Sequence, residues 1–185
     1  VDAILYVWYP GEQGGNAIAD IIFGGVNPSG RLPITFPKSL SQLPDYSDYS
    51  MDNRTYKFIN YDPMYPFGFG LSYSKFSYSE TIINKSKINI GESVQANINI
   101  KNVSKLTGEE VVQLYITDLE SSFRVPHSKL IGIKKISLLP GETKNVKFLI
   151  SSAMMSNFNE NGKLSLEPGT YKITIGPSSP WKESE

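Results

Sequence analysis

Glu12 is the carboxylate whose surroundings most invite chemistry. It stands in Pro10-Gly11-Glu12-Gln13-Gly14-Gly15, a glycine-rich loop after an apolar run. Ligand sites of α/β sheets gather in such loops at strand ends. An acid beside a helix start also serves simply to cap it or to hydrogen-bond the loop, and that structural role is expected here. Asp20, inside the helical pattern that follows, is expected to be solvated or to pair with a loop. The loop is no phosphate cradle, because it lacks the Lys-Ser/Thr of a P-loop and the spacing of GxGxxG. His127 is the only histidine and there is no cysteine. A metal site would need oxygen ligands that the sequence does not cluster, so no metal is expected and His127 reads as an exposed loop residue.

Arg54-Thr55-Tyr56 is the remaining candidate. It lies in a loop with Tyr46, Tyr49, Tyr61 and Tyr65, and tyrosine combines an apolar face with a polar tip that suits a sugar. The same rings could equally fasten the loop onto protein, and that reading is preferred, so the loop is expected to lie draped on neighbouring structure. No residue is assigned as catalytic, and no substrate-binding residue is fixed.

The elements that must position these residues follow from pattern. Residues 1–9 read as an apolar strand of the doubly buried kind, with no turn or cap before it, as if cut from the middle of a sheet. Asn16 is expected to cap a helix carrying Ala17, Ile18, Ile21 and Ile22, closed by Gly24-Gly25. Asn27-Pro28-Ser29-Gly30 reads as a turn and residues 31–36 as a short edge strand containing Pro33. Residues 37–66 show weak periodicity and read as a long loop. Phe67-Gly68-Phe69-Gly70 implies a close backbone approach between two aromatic anchors. Beyond Ser74 the pattern is purely β. Val94, Ala96, Ile98 and Ile100 alternate, as do Val146, Phe148 and Ile150, then Tyr171, Ile173 and Ile175. Residues 110–117 suit the centre of a sandwich, and Leu139-Pro140-Gly141-Glu142 and Glu167-Pro168-Gly169-Thr170 mark turns. Roughly seven strands without cysteine argue an immunoglobulin-like, fibronectin type III-like β-sandwich, preceded by a partial α/β domain and a connector.

Composition excludes several classes. Lys+Arg and Asp+Glu are both 18, so no field draws nucleic acid. No run of about 18 apolar residues offers a membrane span. The aromatic load of 11 Tyr, 9 Phe and 2 Trp suits sandwich cores and sugar-stacking surfaces alike.

In order, WYPGEQGG, ADIIFGGVNPSGRLPITFP, YPFGFGLSY, GEEVVQLYITD, KLIGIKKISLLPGE and LEPGTYKITIG resemble the C-terminal part of glycoside hydrolase family 3. The resemblance implies the end of that family's α/β sandwich domain at 1–36, a connector at 37–73, a fibronectin type III-like domain at 74–178 and a tail at 179–185. It implies a retaining parent of the β-glucosidase or β-xylosidase kind, acting on β-linked non-reducing-end sugars without a cofactor. Retaining chemistry needs two carboxylates about 5–5.5 Å apart. The family's nucleophile lies on an N-terminal barrel and its acid/base upstream of WYPGEQGG, so this chain alone is expected to be inert. Implied partners are that barrel, the remainder of the α/β domain, the β-linked oligosaccharide or glycoside, and a second copy through an exposed face. A periplasmic or secreted parent is favoured, with cytoplasm left open. The alternative is an autonomous fibronectin-like module that binds carbohydrate or protein. The strand at 1–9 disfavours it, since a self-contained module has no use for half a sheet.

Overall fold

The computed structural model describes residues 1–181; of the tail read at 179–185, residues 182–185 lie outside the described residues. Residues 1–9 are exposed and join no ladder, which corrects the expected first strand. An apolar strand of that kind needs a neighbour on each side, and no described segment pairs with it. Tyr6 instead packs edge-on to Trp8 and Phe36, with ring centroids 4.6 and 5.7 Å apart.

Helix α1 (Gly14–Ile22) starts earlier than Asn16 suggested, with Gln13 at its cap position. A turn from Gly14 N–H to Gly11 O at 2.9 Å leads the chain in, so Asn16 lies in the first turn and donates to Gln13 Oε1 at 2.6 Å. Gly24, at φ +79°, ends the helix as expected, with its N–H on Ile21 O at 3.1 Å. Residues 27–30 form no closed turn. The edge strand expected at 31–36 reduces to one bridge, Phe36 to Tyr65, because Pro33 carries no N–H and interrupts the ladder. The connector contributes only a 3₁₀ turn (Leu40–Gln42) and the single-turn helix α2 (Thr55–Phe58).

The β pattern after Ser74 folds into two sheets. In the first, β1 (Phe76–Tyr78) and β2 (Ile82–Ile83) share one edge of β3 (Ser93–Asn102). In the second, β4 (Gly108–Asp118) runs beside β5 (Lys129–Leu138), with a bulge at Leu114/Tyr115. Strand β6 (Thr143–Ser151) closes the other edge of β3, and the short helix α3 (Ser152–Met155) follows it. A small hairpin pairs β7 (Asn157–Phe158) with β8 (Leu164–Ser165). Finally β9 (Tyr171–Gly176) takes the free side of β4, which makes β4 the centre of its sheet.

The alternating residues meet between the sheets as read. Val94, Ala96, Ile98, Ile100, Val146, Phe148 and Ile150 face Val112, Leu114, Ile116 and Ile175 in one core. Each of these side chains larger than Ala96 contributes about 1.5–3 kcal/mol by leaving water. Gly141, at φ +76°, turns the chain from β5 in one sheet to β6 in the other, and Glu142 N–H bonds Leu139 O at 3.0 Å. The fold is mostly β, a fibronectin type III-like sandwich. No helix among the described residues is long and apolar enough to cross a membrane.

Candidate functional site

Strand β9 covers only the C-terminal half of β4, from Gln113 onward. The N-terminal half is flanked instead by two segments from the first region, 27–31 and 65–74, which act as a strap. Asn27 donates Nδ2 to Ser74 Oγ at 2.8 Å and to Thr107 O at 2.9 Å. Its Oδ1 accepts Ser72 Oγ–H at 2.8 Å and Tyr73 N–H at 2.9 Å. These bonds hold residues 27–30 open where a turn was expected. Ser29 Oγ donates to Glu109 Oε2 at 3.2 Å. Arg31 donates Nη2 to Glu110 Oε2 at 2.6 Å, with the two side chains only 8% and 2% exposed. Tyr78 Oη, from the opposite sheet, donates to Glu110 Oε1 at 2.7 Å. The Tyr78 phenol is pushed well above its ordinary range, first by burial and then by the Glu110 charge.

The Phe-Gly-Phe-Gly run makes the close approach that its glycines implied. Gln113 Nε2 donates to Gly68 O at 3.0 Å and to Pro177 O at 2.6 Å. A Cβ on Gly68 would lie 2.1 Å from Gln113 Oε1, and one on Gly70 would lie 2.3 Å from Gly30 O. Leu32 N–H to Phe69 O and Gly68 N–H to Leu32 O, both 2.8 Å, knit the two segments together. Neither Glu110 nor Gln113 stood out in the sequence. An acid at a buried position of an apolar strand, with an arginine elsewhere to meet it, was the signal available.

Glu12 is exposed and makes no hydrogen bond among the described residues, so it neither caps nor closes its loop. Backbone groups of Gly11 and Gly14 do that work instead. Asp20 is exposed, and its carbonyl accepts Val26 N–H at 3.0 Å. His127 is exposed in the loop after β4, and its N–H donates to Lys57 O at 2.8 Å. Among the described residues no three His, Cys, Asp or Glu side chains come together as a metal-binding group.

The tyrosine-rich loop divides into two parts. Tyr56 stacks on Phe67 with centroids 4.3 Å apart, meets Tyr115 edge-on at 6.1 Å, and accepts Leu130 N–H on its Oη at 3.1 Å. Burial raises its phenol, so Tyr56 is a fastening. Arg54 points its guanidinium at the loop's own carbonyls, Ser50 O and Asp45 O at 3.1 Å each, and Asp48 O. It therefore shapes the loop rather than reaching beyond it. Tyr46 and Tyr49 are 94% and 89% exposed, which corrects the expectation that the whole loop lies draped on protein. Asx turns led by Asp45 and Asp48 hold their backbone, with Ser47 and Ser50 N–H each 2.8 Å from the carboxylate.

Beneath this loop is a cleft of about 540 Å³ whose walls include Thr35, Asn53, Thr55, Lys57, Tyr61 and Phe67. No carboxylate lines it. Two of its residues are strained, Asn53 at φ +56° and the β-branched Thr55 at φ +55°. Asn53 Oδ1 accepts Asn60 N–H at 3.1 Å, which fixes the bend.

Residues 1–73 match the glycosyl hydrolase family 3 C-terminal domain, and residues 110–179 match a fibronectin type III-like domain. A periplasmic β-glucosidase of Salmonella typhimurium is 39% identical over 96% of the chain, which spans 25% of that relative. A putative β-xylosidase of Formosa agariphila is 42% identical, again over 96% of the chain and 24% of the relative. The solved β-glucosidase of Erythrobacter marinus superposes with a TM-score of 0.80 at 39% identity, covering 93% of this chain and 23% of that one. The chain thus spans about a quarter of the length of the curated relatives it matches. Both matched regions stand in one fold, in the order of the sequence motifs, and the chain carries the glycosyl hydrolase family 3 C-terminal domain followed by a fibronectin type III-like domain.

Proposed function

We propose that the chain works as the C-terminal scaffold of a retaining β-glycosidase, of β-glucosidase type first, that cleaves terminal β-linked sugars. The observation that carries this reading is the strap. It ties the residues of the first matched region to the sandwich through Asn27, Arg31 and Gln113, so the sandwich can present that region rigidly to the rest of an enzyme. In this reading 1–36 completes an α/β domain, 37–73 connects, and 74–178 anchors. The partners are the catalytic barrel and the remaining α/β elements, which would cover the exposed apolar side chains of residues 1–9.

The chain itself brings no nucleophile or acid/base pair to the reaction. Purified alone, it should not turn over aryl β-glucosides or β-xylosides. Steady-state turnover that persists after contaminating glycosidase has been removed would overturn the scaffold reading.

A further inference from the structure

We infer that the cleft beneath the tyrosine-rich loop is a binding subsite for a pyranose unit, contributed by this chain's own residues. The inference rests on the β-glycosidase reading above for the class of ligand, and on the cleft for the site. A volume of about 540 Å³ lies within the roughly 300–1,000 Å³ of small-ligand sites, which are mainly apolar with a few placed polar groups. A pyranose has the matching character, with C–H faces for apolar walls and a rim of hydroxyls for the polar groups.

The polar side chains that line the cleft include those of Thr35, Tyr61 and Lys57. Thr35 Oγ1 is buried without a hydrogen-bond partner among the described residues. Leaving such a hydroxyl unsatisfied is destabilising, so its retention calls for a reason. The Tyr61 phenol is raised by burial alone, and no protein acceptor or donor meets it among the described residues. Lys57 supplies a third, cationic donor.

The walls are also prepared in advance. Asn53 and Thr55 both occupy the left-handed region, which is costly for a β-branched threonine, and such strain is characteristic of ligand clamps. Arg54, between them, spends its guanidinium on loop carbonyls and so locks the strained bend. The stack of Tyr56 on Phe67 backs the cleft with a rigid wall. A site held this way loses little freedom when a ligand enters.

The test is a titration of the full 185-residue chain, followed by amide chemical shifts, with methyl β-glucoside, methyl β-xyloside and glucuronic acid. Saturable shifts of Thr35, Asn53, Lys57 and Tyr61, with a dissociation constant of about 1–10 mM for at least one pyranose, are expected. A stronger response to glucuronic acid would assign the Lys57 side to a carboxylate. A stronger response to the methyl glycosides would assign it to a hydroxyl. Thr35→Val should leave the fold intact and as stable or more so, yet weaken binding about fivefold; Tyr61→Phe should do the same to binding. A purely structural Thr35 would leave affinity unchanged. No saturable shift at about 100 mM of any of the three sugars, or equal affinity in both variants, overturns the inference. Either result is independent of whether the chain is inert toward aryl glycosides, so the scaffold reading stands or falls on its own assay.

Discussion

Arg31 and Glu110 are each more than nine-tenths buried, and their separation of 2.6 Å makes them mutually dependent. Removing one member of such a pair leaves an unsolvated charge, which costs about 3–5 kcal/mol, whereas replacing both with apolar groups is often close to neutral. Arg31→Met should therefore lower the unfolding free energy by about that amount in urea, and Arg31→Met with Glu110→Met should recover most of it. Failure of the double variant to recover would mean that the strap needs the charges themselves. Tyr78 carries the alkaline limit. Its phenol is raised by burial and by Glu110, and that of Tyr115 is raised by burial and then by the neighbouring Tyr56. The folded chain keeps these protons at a pH where the unfolded chain, titrating near about 10, releases them. Their contribution is present in full below about pH 10 and is lost as pH rises beyond it. Urea midpoints measured at rising alkaline pH should fall, and Tyr78→Phe should flatten the decline while lowering the midpoint at neutral pH.

At the scale of elements, the strap substitutes for a strand beside the first half of β4, and its glycines permit the contact. Gly70→Ala would drive a Cβ to within 2.3 Å of the Gly30 carbonyl, which belongs to backbone and cannot swing aside. A loss of about 1–3 kcal/mol is expected from thermal unfolding, the range typical of forced overpacking. Hydrogen exchange should then show 27–36 and 65–74 protected like the sandwich strands, with 1–9 exchanging fast. Uniformly fast exchange over 27–36 would show that the strap opens independently of the sandwich. The sandwich was legible in the sequence because period-two alternation in β3 and β6 reports burial locally. The glycines of Phe67-Gly68-Phe69-Gly70 were legible for a similar reason, since they mark where another chain segment comes close. What was illegible depends on partners far away in sequence. Asn27 reads as a turn residue until Ser72, Tyr73 and Thr107 claim its side chain. Asn16 reads as a cap until Gly11 starts the helix earlier. The cleft was half legible, since the loop drew notice through Arg54-Thr55-Tyr56. Its polar groups, Thr35 and Tyr61, lie on either side of that motif and meet only in three dimensions.

At the scale of the whole molecule, the two ends of the strap differ sharply in how they meet water. On one side the sandwich encloses a continuous core. On the other, Ile4, Trp8, Tyr9, Phe23 and Val26 are exposed, with Phe23 at 88%. Five rings, Trp8, Tyr6, Phe36, Tyr65 and Phe69, follow one another in contact from this surface into the strap, with successive centroids 4.6, 5.7, 6.2 and 5.2 Å apart. Exposed apolar area of this kind favours association, because about 25 cal/mol per Å² over a few hundred Å² yields on the order of several kcal/mol before entropic costs. The chain by itself should therefore self-associate through residues 1–36, reversibly and with concentration. Sedimentation should show the average mass rising with loading, and Trp8 emission should shift to the blue as its ring leaves water. Trp8→Ser with Phe23→Ser should restore the monomer without lowering the sandwich's melting temperature, since neither side chain belongs to its core. A single monomeric boundary at every concentration, with emission unchanged on dilution, would show that this face does not drive association.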